Sequence, residues 1–250
     1  MRLYFADPWY SPGVEMEGGE NIRVFNVTLN SHSLLLHNFD IIADAGPNTA
    51  DVRVFKDVEP ASDGYLHLSF AGNGGPPLIN AIEIVPGMAH RLRPIRLVTQ
   101  SSGLIDRSGV TWSRDNYFLS GRTIARTFTV TGSDDPEIYA RERYGNFSYA
   151  IPVSEGRYRV TLHFAESYWG PISPGGGGVG TRIFDVYCNG IALLRNFDML
   201  KEAGPHIQIV KTFHNLQPNA QGKLLLSFVP VKNYANISAI EVDDESETHD

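Results

Sequence analysis

Aromatic residues beside charged residues are the part of this sequence best suited to contact a ligand. Four of them fall within residues 139–149, namely Tyr139, Tyr144, Phe147 and Tyr149. Two more, Tyr168 and Trp169, directly follow a segment with the pattern of a strand. An exposed aromatic ring offers apolar area to the C–H faces of a sugar ring, and Glu142, Arg143 and Glu166 are close enough in sequence to bond sugar hydroxyls. The pattern indicates a carbohydrate-binding surface.

The position of Tyr168 and Trp169 argues against a purely structural role for both rings. Successive side chains on a strand point to opposite faces, so two adjacent rings before a loop rich in Pro and Gly cannot both enter the core. A similar pair, Trp9 and Tyr10, occurs in an earlier and related stretch of the chain. We expect at least one ring of Tyr168 and Trp169 to be exposed. The alternative is that both rings pack between loops and sheet.

Catalysis by carboxylates has less support. A glycosidase needs two carboxyl groups across the scissile bond, and Glu142, Glu166 and Asp185 are the candidates near aromatic residues. Asp185 is replaced by Asn26 in the earlier stretch, and nothing in the sequence fixes a separation between carboxylates. We therefore expect no catalytic residues, and a glycoside hydrolase stays as an alternative.

No cofactor or transition-metal site is expected. The histidines lack the H-x-H and H-x-x-x-H spacings of metal ligands, and Cys188 has the strand parity of a core residue. Residues 175–180 satisfy G-x-G-x-x-G, but they precede a strand instead of opening a helix, so we expect a flexible surface loop. A calcium ion held by loop carbonyls stays open, because carbonyl ligands leave no mark in a sequence.

Short antiparallel strands must position these residues. Residues 157–165 alternate polar and apolar side chains, and we expect the polar set, including Thr161 and His163, to face water. Asn189–Gly190 predicts a type I′ hairpin, and Asp198 predicts the start of a single helical turn. Gly (24) and Pro (15) supply many turns. The chain is therefore predicted to be all-β, an antiparallel sandwich of the jelly-roll, galactose-binding-like kind.

A repeat of domain-sized period organises the chain. LYFAD at residues 3–7 matches LHFAE at 162–166, and GYLHLSF at 64–70 matches GKLLLSF at 222–228. The sequence between the copies, residues 88–158, has no counterpart before the first copy. We expect the C-terminal part of one domain at residues 1–87, a linker at 88–94 and a complete domain at 95–245. A sandwich without its first strands has open edges, so the first copy is not expected to be stable alone.

The charge balance bears on the partners. The 250 residues include 28 acidic and 21 basic side chains, a net charge of −7, which repels phosphate backbones and anionic lipid headgroups. We expect neither nucleic acid nor a membrane as a partner. The first residues lack the apolar core of a signal peptide, so the sequence itself shows no export signal.

Several of these segments together resemble the malectin domain family. The resemblance rests on YARERYG at residues 139–145, YRVTLHFAESYW at 158–169, FDV at 184–186 and AIEV at 239–242. It covers roughly residues 95–243, and the first copy is similar to the later part of the family. The resemblance implies a lectin-like β-sandwich that has no catalytic activity and binds glucose-containing oligosaccharides between loops at one end.

The resemblance also implies particular ligand contacts. Tyr144 of the ERY motif and the pair Tyr168 and Trp169 match family contact positions. Asn233 stands where the family has an acidic contact, which keeps a hydroxyl-bonding group but loses the charge. Tyr117 is the candidate for a further upstream tyrosine. The first copy keeps an aromatic pair but lacks the ERY segment, so we expect no complete site there.

The expected partner is therefore a neutral, glucose-containing oligosaccharide or polysaccharide. Members of the family occur in plant receptor kinases and beside bacterial polysaccharide-degrading enzymes, so a fused catalytic domain is also expected. This context implies an extracellular or periplasmic location in preference to the endoplasmic reticulum. The alternative is a protein-interaction or spacer domain of a glycoside hydrolase, with Tyr168 and Trp169 buried against a neighbouring module and no sugar bound.

Overall fold

The computed structural model describes residues 1–10 and 18–246. Contacts divide the chain into two compact units. The N-terminal unit is Met1–Arg91 with Pro152–Ser154, and the C-terminal unit is Leu92–Ile151 with Glu155–Asp250. Every strand pair whose register is described is antiparallel, and the described helices are short. The all-β prediction is confirmed.

The N-terminal unit consists of two three-stranded sheets. Its elements are β1 (Arg2–Phe5), β2 (Val24–Leu29), β3 (Ser33–Asp40), α1 (Ile41–Ala45), β4 (Asp51–Val54), β5 (Leu68–Gly72) and β6 (Ala81–Glu83). The sheet orders are β4-β1-β6 and β3-β2-β5. Phe5 of the first sheet lies 4.8 Å from Phe39 of the second, between ring centroids. The core of this unit therefore lies between its two sheets.

The C-terminal unit is larger and begins with a strand followed by a small hairpin. Its first elements are β7 (Ile95–Val98), β8 (Leu104–Ile105), β9 (Thr111–Trp112), β10 (Phe118–Ala125), a 3-10 helix (Pro136–Tyr139) and β11 (Arg141–Pro152). The later elements are β12 (Tyr158–Ala165), β13 (Ile183–Cys188), β14 (Ile191–Phe197), α2 (Met199–Glu202), β15 (Gln208–Leu216), β16 (Lys223–Lys232), β17 (Ala235–Ile237) and β18 (Ala239–Asp244).

Two main sheets form this unit. One has the order β10-β11-β16-β13-β14 with β17 paired to β11, and the other has the order β15-β12-β18-β7. Phe164 of the second sheet lies 5.9 Å from Phe184 and 5.1 Å from Phe197, both of the first sheet, between ring centroids. The sheets therefore face each other across an aromatic core, as in a β-sandwich.

The local turn predictions are confirmed. Asn189 and Gly190 have φ angles of 49° and 81° and join β13 to β14, as a type I′ hairpin requires. The Asp198 side chain accepts the Lys201 N–H at the start of α2. Cys188 is 2% exposed, and burial raises the pKa of its thiol to about 11. Its assignment as a core residue is also confirmed.

One expectation for β12 is wrong. Thr161 and His163 were expected to face water, yet both are buried. They lie on the face of the second sheet opposite the aromatic core. His163 is covered there by Tyr139 of the 3-10 helix and by Trp112 of the β8–β9 hairpin. The alternating pattern identified the strand, but it could not show that other elements cover its polar face.

Strand order is shared between the units. In the repeat, strands β12, β15 and β18 of the C-terminal unit correspond to β1, β4 and β6 of the N-terminal unit, and both sets have the same order, β15-β12-β18 and β4-β1-β6. Strands β13, β14 and β16 likewise correspond to β2, β3 and β5, with the orders β16-β13-β14 and β5-β2-β3. Strands β7, β10, β11 and β17 have no counterpart in the described part of the N-terminal unit. Across residues 1–10 and 18–246, no helix has the length and apolar character needed to span a membrane.

Candidate ligand-binding site

The turn after β12 presents the aromatic pair Tyr168 and Trp169. Both side chains are half-buried, so the expectation that at least one ring is exposed is wrong. The rings meet edge to face with centroids 4.8 Å apart. The glycine-rich loop folds back over them, because the Gly175 N–H donates to the Tyr168 carbonyl at 2.8 Å. A Cβ on Gly175 would lie 2.7 Å from the Trp169 ring, closer than real contacts allow. The loop is therefore shaped to the aromatic pair, which retains an accessible part of its surface.

Glu166 holds this turn in place from beneath. One carboxylate oxygen accepts the backbone N–H groups of Tyr168 and Trp169, both at 3.0 Å. The other oxygen accepts from Arg182 Nε at 2.6 Å, and Arg182 Nη1 donates to the Tyr234 carbonyl at 2.7 Å. Glu166 is 0% exposed. The expectation that Glu166 bonds a sugar hydroxyl is therefore corrected: it orders the turn that carries the rings.

Glu142 on β11 is also enclosed. Its side chain forms an ion pair with Arg126, and its second oxygen accepts from Asn236 Nδ2 at 3.0 Å. The Arg126 guanidinium lies over the Tyr168 ring, 4.9 Å from its centroid. Because Glu142 is buried by these partners, its predicted contact with a ligand is corrected as well. Glu142 fixes the arginine that supports the Tyr168 ring from one side.

Tyr144 and Tyr234 form a second aromatic group. Tyr144 is half-buried on β11, and its ring centroid lies 5.9 Å from that of Tyr234. Glu166, Arg182 and the turn they hold are called the clamp below. Tyr234 is 61% exposed, and its carbonyl accepts from Arg182 of the clamp. The sequence analysis missed Tyr234, although it directly follows Asn233. The two aromatic groups are linked by this chain of contacts, so they belong to one end of the C-terminal unit.

The two remaining predicted residues differ in location. Asn233 is exposed, and its Nδ2 donates to the Thr181 carbonyl at 2.6 Å. Asn233 therefore lies beside Arg182, which directly follows Thr181. Tyr117 precedes β10, and its carbonyl accepts from the Ala150 N–H at 2.8 Å. Ala150 is six strand positions from Tyr144, which corresponds to roughly 20 Å. Tyr117 therefore lies toward the other end of the sheet and is removed from the candidate site.

The accessible groups of this site are suited to contact a ligand by stacking and hydrogen bonding. Its accessible groups are aromatic faces, tyrosine hydroxyls and one amide, which suit a polar molecule with apolar faces. Both of its predicted carboxylates, Glu142 and Glu166, are held by arginines and are not placed to exchange a proton with a ligand. Within the described residues, no group of three or more His, Cys, Asp or Glu side chains could hold a metal ion.

The C-terminal unit is thus an antiparallel β-sandwich that carries aromatic residues on the loops at one end. The model of the malectin domain matches residues 97–240 of this chain. Because the match covers more than half of the chain, the protein belongs to the malectin domain family. The resemblance inferred from the sequence is confirmed.

Curated relatives match smaller parts of the chain. A kinesin-like protein of Oryza sativa subsp. japonica, KIN-14E, is 40% identical over 78 residues, which are 30% of this chain and 7% of that protein. A probable LRR receptor-like serine/threonine-protein kinase of Arabidopsis thaliana is 33% identical over 81 residues, which are 31% of this chain and 8% of that protein. The chain thus spans under a tenth of the length of these relatives.

Solved structures share the fold at low identity. The plant receptor-like kinase FER, in a complex with the plant peptide RALF23 and LLG2, has a TM-score of 0.54 and 16% identity, with 97% of this chain and 76% of that chain covered. A β-glucuronidase of Bacteroides uniformis has a TM-score of 0.51 and 12% identity, with 90% of this chain and 26% of that chain covered. At these identities the likeness establishes the fold alone.

Proposed function

We propose that the C-terminal unit is a non-catalytic module that binds neutral, glucose-containing oligosaccharides or polysaccharides. The half-buried pair Tyr168 and Trp169, held by the Glu166–Arg182 clamp, is the observation that carries this proposal. Membership of the malectin domain family supports it. The proposed contact residues are Tyr144, Tyr168, Trp169, Asn233 and Tyr234.

The clamp favours stacking because it fixes the backbone that carries the rings before a ligand arrives. Each backbone N–H of the aromatic pair is bonded to the same buried carboxylate oxygen, so the turn loses little freedom on binding. A pyranose ring would lie against the exposed aromatic area, and its hydroxyls would bond the Tyr144 and Tyr234 hydroxyls and the Asn233 amide. These uncharged contacts suit a neutral sugar and predict modest affinity.

Calorimetric titration of the whole chain with maltose, nigerose and cellobiose tests the proposal. We expect one of the three to bind, and Trp169→Ala to weaken that binding at least about tenfold, since it removes an aromatic contact area. Trp9→Ala is the matched control. Trp9 is 61% exposed on the equivalent turn of the N-terminal unit, and its loss should leave the affinity unchanged. Absence of binding at millimolar sugar, or an unaffected Trp169→Ala variant, would refute the proposal.

The N-terminal unit is proposed to be a partial copy of the same domain. Its strand orders match those of the later strands of the C-terminal unit. We assign residues 1–87 to this copy, 88–94 to a linker and 95–245 to the complete domain.

An extracellular location within a longer protein is also proposed. The matched relatives are far longer than this chain, and the similar solved structures include an ectodomain of Arabidopsis thaliana, ANX1, and a β-glucuronidase. A polysaccharide-active enzyme or a receptor would both place the module where glycans are accessible. The FER complex with a peptide favours protein binding as a second candidate function. That candidate predicts no neutral-sugar binding in the titration above.

A further inference from the structure

A pocket of about 370 Å³ lies in the C-terminal unit on the polar face of the β15-β12-β18-β7 sheet. Its walls come from the β8–β9 hairpin, the loop at residues 132–135, the 3-10 helix and the sheet itself. None of the residues proposed above to contact a neutral sugar lines this pocket. Its volume falls at the lower end of the range for small-molecule sites, which fits a ligand of monosaccharide size.

The floor of the pocket is a built hydrogen-bond chain. Gln208 Nε2 donates to the Gly132 carbonyl, so the Gln208 Oε1 atom is turned toward the Tyr139 hydroxyl and accepts a hydrogen bond from it at 3.1 Å. The Tyr139 hydroxyl also lies 3.1 Å from His163 Nδ1. His163 Nε2 is hydrogen-bonded to Glu241 at 2.9 Å.

Glu241 is engaged on both of its oxygens, by His163 Nε2 at 2.9 Å and by Arg96 Nε at 3.0 Å. Arg96 is therefore paired inside the pocket. It does not offset the charge of the other acidic lining residues.

The mouth of the pocket is acidic. Asp106, Asp134 and Asp135 line it, and none of them has an ion-pair partner in the described part of the chain. Asp106 is used internally, since it accepts from the indole N–H of Trp112 at 3.0 Å and from two backbone N–H groups. One Asp135 oxygen accepts the Arg107 N–H at 2.8 Å. Asp134 is exposed and lines the pocket.

We propose that this pocket binds a small polar molecule that carries a protonated primary amine, of the class of amino sugars. The size fits one pyranose ring, the polar lining offers hydrogen bonds to hydroxyls, and the acidic mouth attracts the ammonium group. A metal ion is not the expected ligand, because the described side chains provide no cluster of three metal-binding groups.

The three tryptophans make a single titration decisive. Trp9 lies in the N-terminal unit, Trp112 lines this pocket and Trp169 lies at the proposed neutral-sugar site. Indole N–H resonances of the whole chain, recorded by NMR during addition of glucosamine, therefore report each place separately. Glucose and N-acetylglucosamine are the uncharged controls.

We expect glucosamine to shift the Trp112 resonance along a saturable curve and the two controls to leave it in place. Asp134→Asn should weaken binding about two- to fivefold, as expected for one exposed charge, and higher ionic strength should weaken it further. Glu137→Gln is the matched control, because Glu137 is an exposed acid of the adjoining 3-10 helix that does not line the pocket.

Three results would overturn the inference: no saturable Trp112 shift, an equal response to N-acetylglucosamine, or an unchanged affinity in Asp134→Asn. A glucosamine response confined to Trp169 would also overturn it. Maltose, nigerose and cellobiose act on Trp169 in the same experiment. Failure of the neutral-sugar proposal is thus read from a different resonance than failure of this one.

Discussion

The two units share one clamp and differ in what surrounds it. In the N-terminal unit Asp7 pairs with Arg23 at 2.7 Å and accepts the N–H groups of Trp9 and Tyr10 at 3.0 and 3.3 Å. In the C-terminal unit Glu166 pairs with Arg182 at 2.6 Å and holds its own aromatic turn in the same way. The clamp is therefore a device for shaping a turn, independent of any ligand.

The difference lies in which arginine lies over which ring. Arg23 of the clamp itself lies over Tyr10, the second ring of its pair, 5.0 Å from the ring centroid. In the C-terminal unit Arg126, which follows β10, lies over Tyr168, the first ring of its pair. In the C-terminal unit the aromatic turn thus contacts Arg126, which follows β10 and pairs with Glu142 on β11, the strand that also carries Tyr144. The N-terminal unit has no such strands in its described part. Both units have the clamp, but the proposed site also needs Arg126, which follows β10, and Tyr144 on β11.

Removing an arginine from either clamp is the strongest test of this shared scaffold. Arg182→Met leaves the fully buried Glu166 without its partner and should destabilise the C-terminal unit by about 3–5 kcal/mol. Arg23→Met should destabilise the N-terminal unit comparably, since Asp7 is equally enclosed. Urea unfolding, followed by peptide-resolved hydrogen exchange, measures each unit separately.

The double variant Glu166→Gln with Arg182→Met is the control for the first clamp. It should recover part of the loss, because no uncompensated charge stays buried. A loss below about 1 kcal/mol in both single variants would show that the clamps contribute little to the fold.

The helix caps offer a smaller and nearly equal effect in the two units. Asp40 accepts the Ile42 and Ala43 N–H groups at the start of α1, and Asp198 accepts the Lys201 N–H at the start of α2. Each Asp→Ala change should cost about 1 kcal/mol, as the loss of an N-cap usually does. The same unfolding experiment measures both. A difference between them larger than about 2 kcal/mol would contradict their equivalence.

The smallest effect concerns acid stability. Glu83 and Glu241 occupy matching positions on β6 and β18. A hydrogen bond from Tyr4, together with Arg2, lowers the pKa of Glu83 below its ordinary value. Burial alone would raise the pKa of Glu241, but His163 and Arg96 outweigh it, so the pKa of Glu241 is also lowered.

A lowered pKa in the folded state means that each glutamate stabilises its unit above the unfolded pKa of about 4.3 and that this contribution is lost as the pH falls through the folded pKa. Glu241→Gln should remove part of the acid-side pH dependence of the C-terminal unit. Glu83→Gln should have a weaker effect, because its side chain is 40% exposed. Unfolding free energies measured between pH 3 and 7 compare the two. A larger effect at Glu83 would reverse the expected order.

Local features were predictable from the sequence because few residues decide them. Asn189–Gly190 determines its own turn through positive φ angles, and Asp198 caps the helix that follows it directly. The aromatic pair was found because two large adjacent rings cannot share one side of a strand. The family motifs then identified Tyr144.

Features that depend on distant partners were not predictable. Glu142 and Glu166 were expected to face a ligand because nothing local shows that Arg126 and Arg182 enclose them. A signal was nevertheless present: Arg182 matches Arg23 in the repeat, and an acidic residue matches at position 166. Paired recurrence of opposite charges indicates a structural ion pair. Tyr117 was wrongly assigned to the site. Its place depends on how β10 pairs with β11, and the sequence did not show that pairing.

The buried Cys188 has a practical consequence. A thiol that is sealed in a sheet and kept protonated at neutral pH reacts with alkylating reagents only when β13 opens. The chain contains no other cysteine, so alkylation of the unaltered protein would act as a clock for opening events in the C-terminal unit alone. Mass spectrometry can follow this clock without any added label, and a bound ligand would slow it.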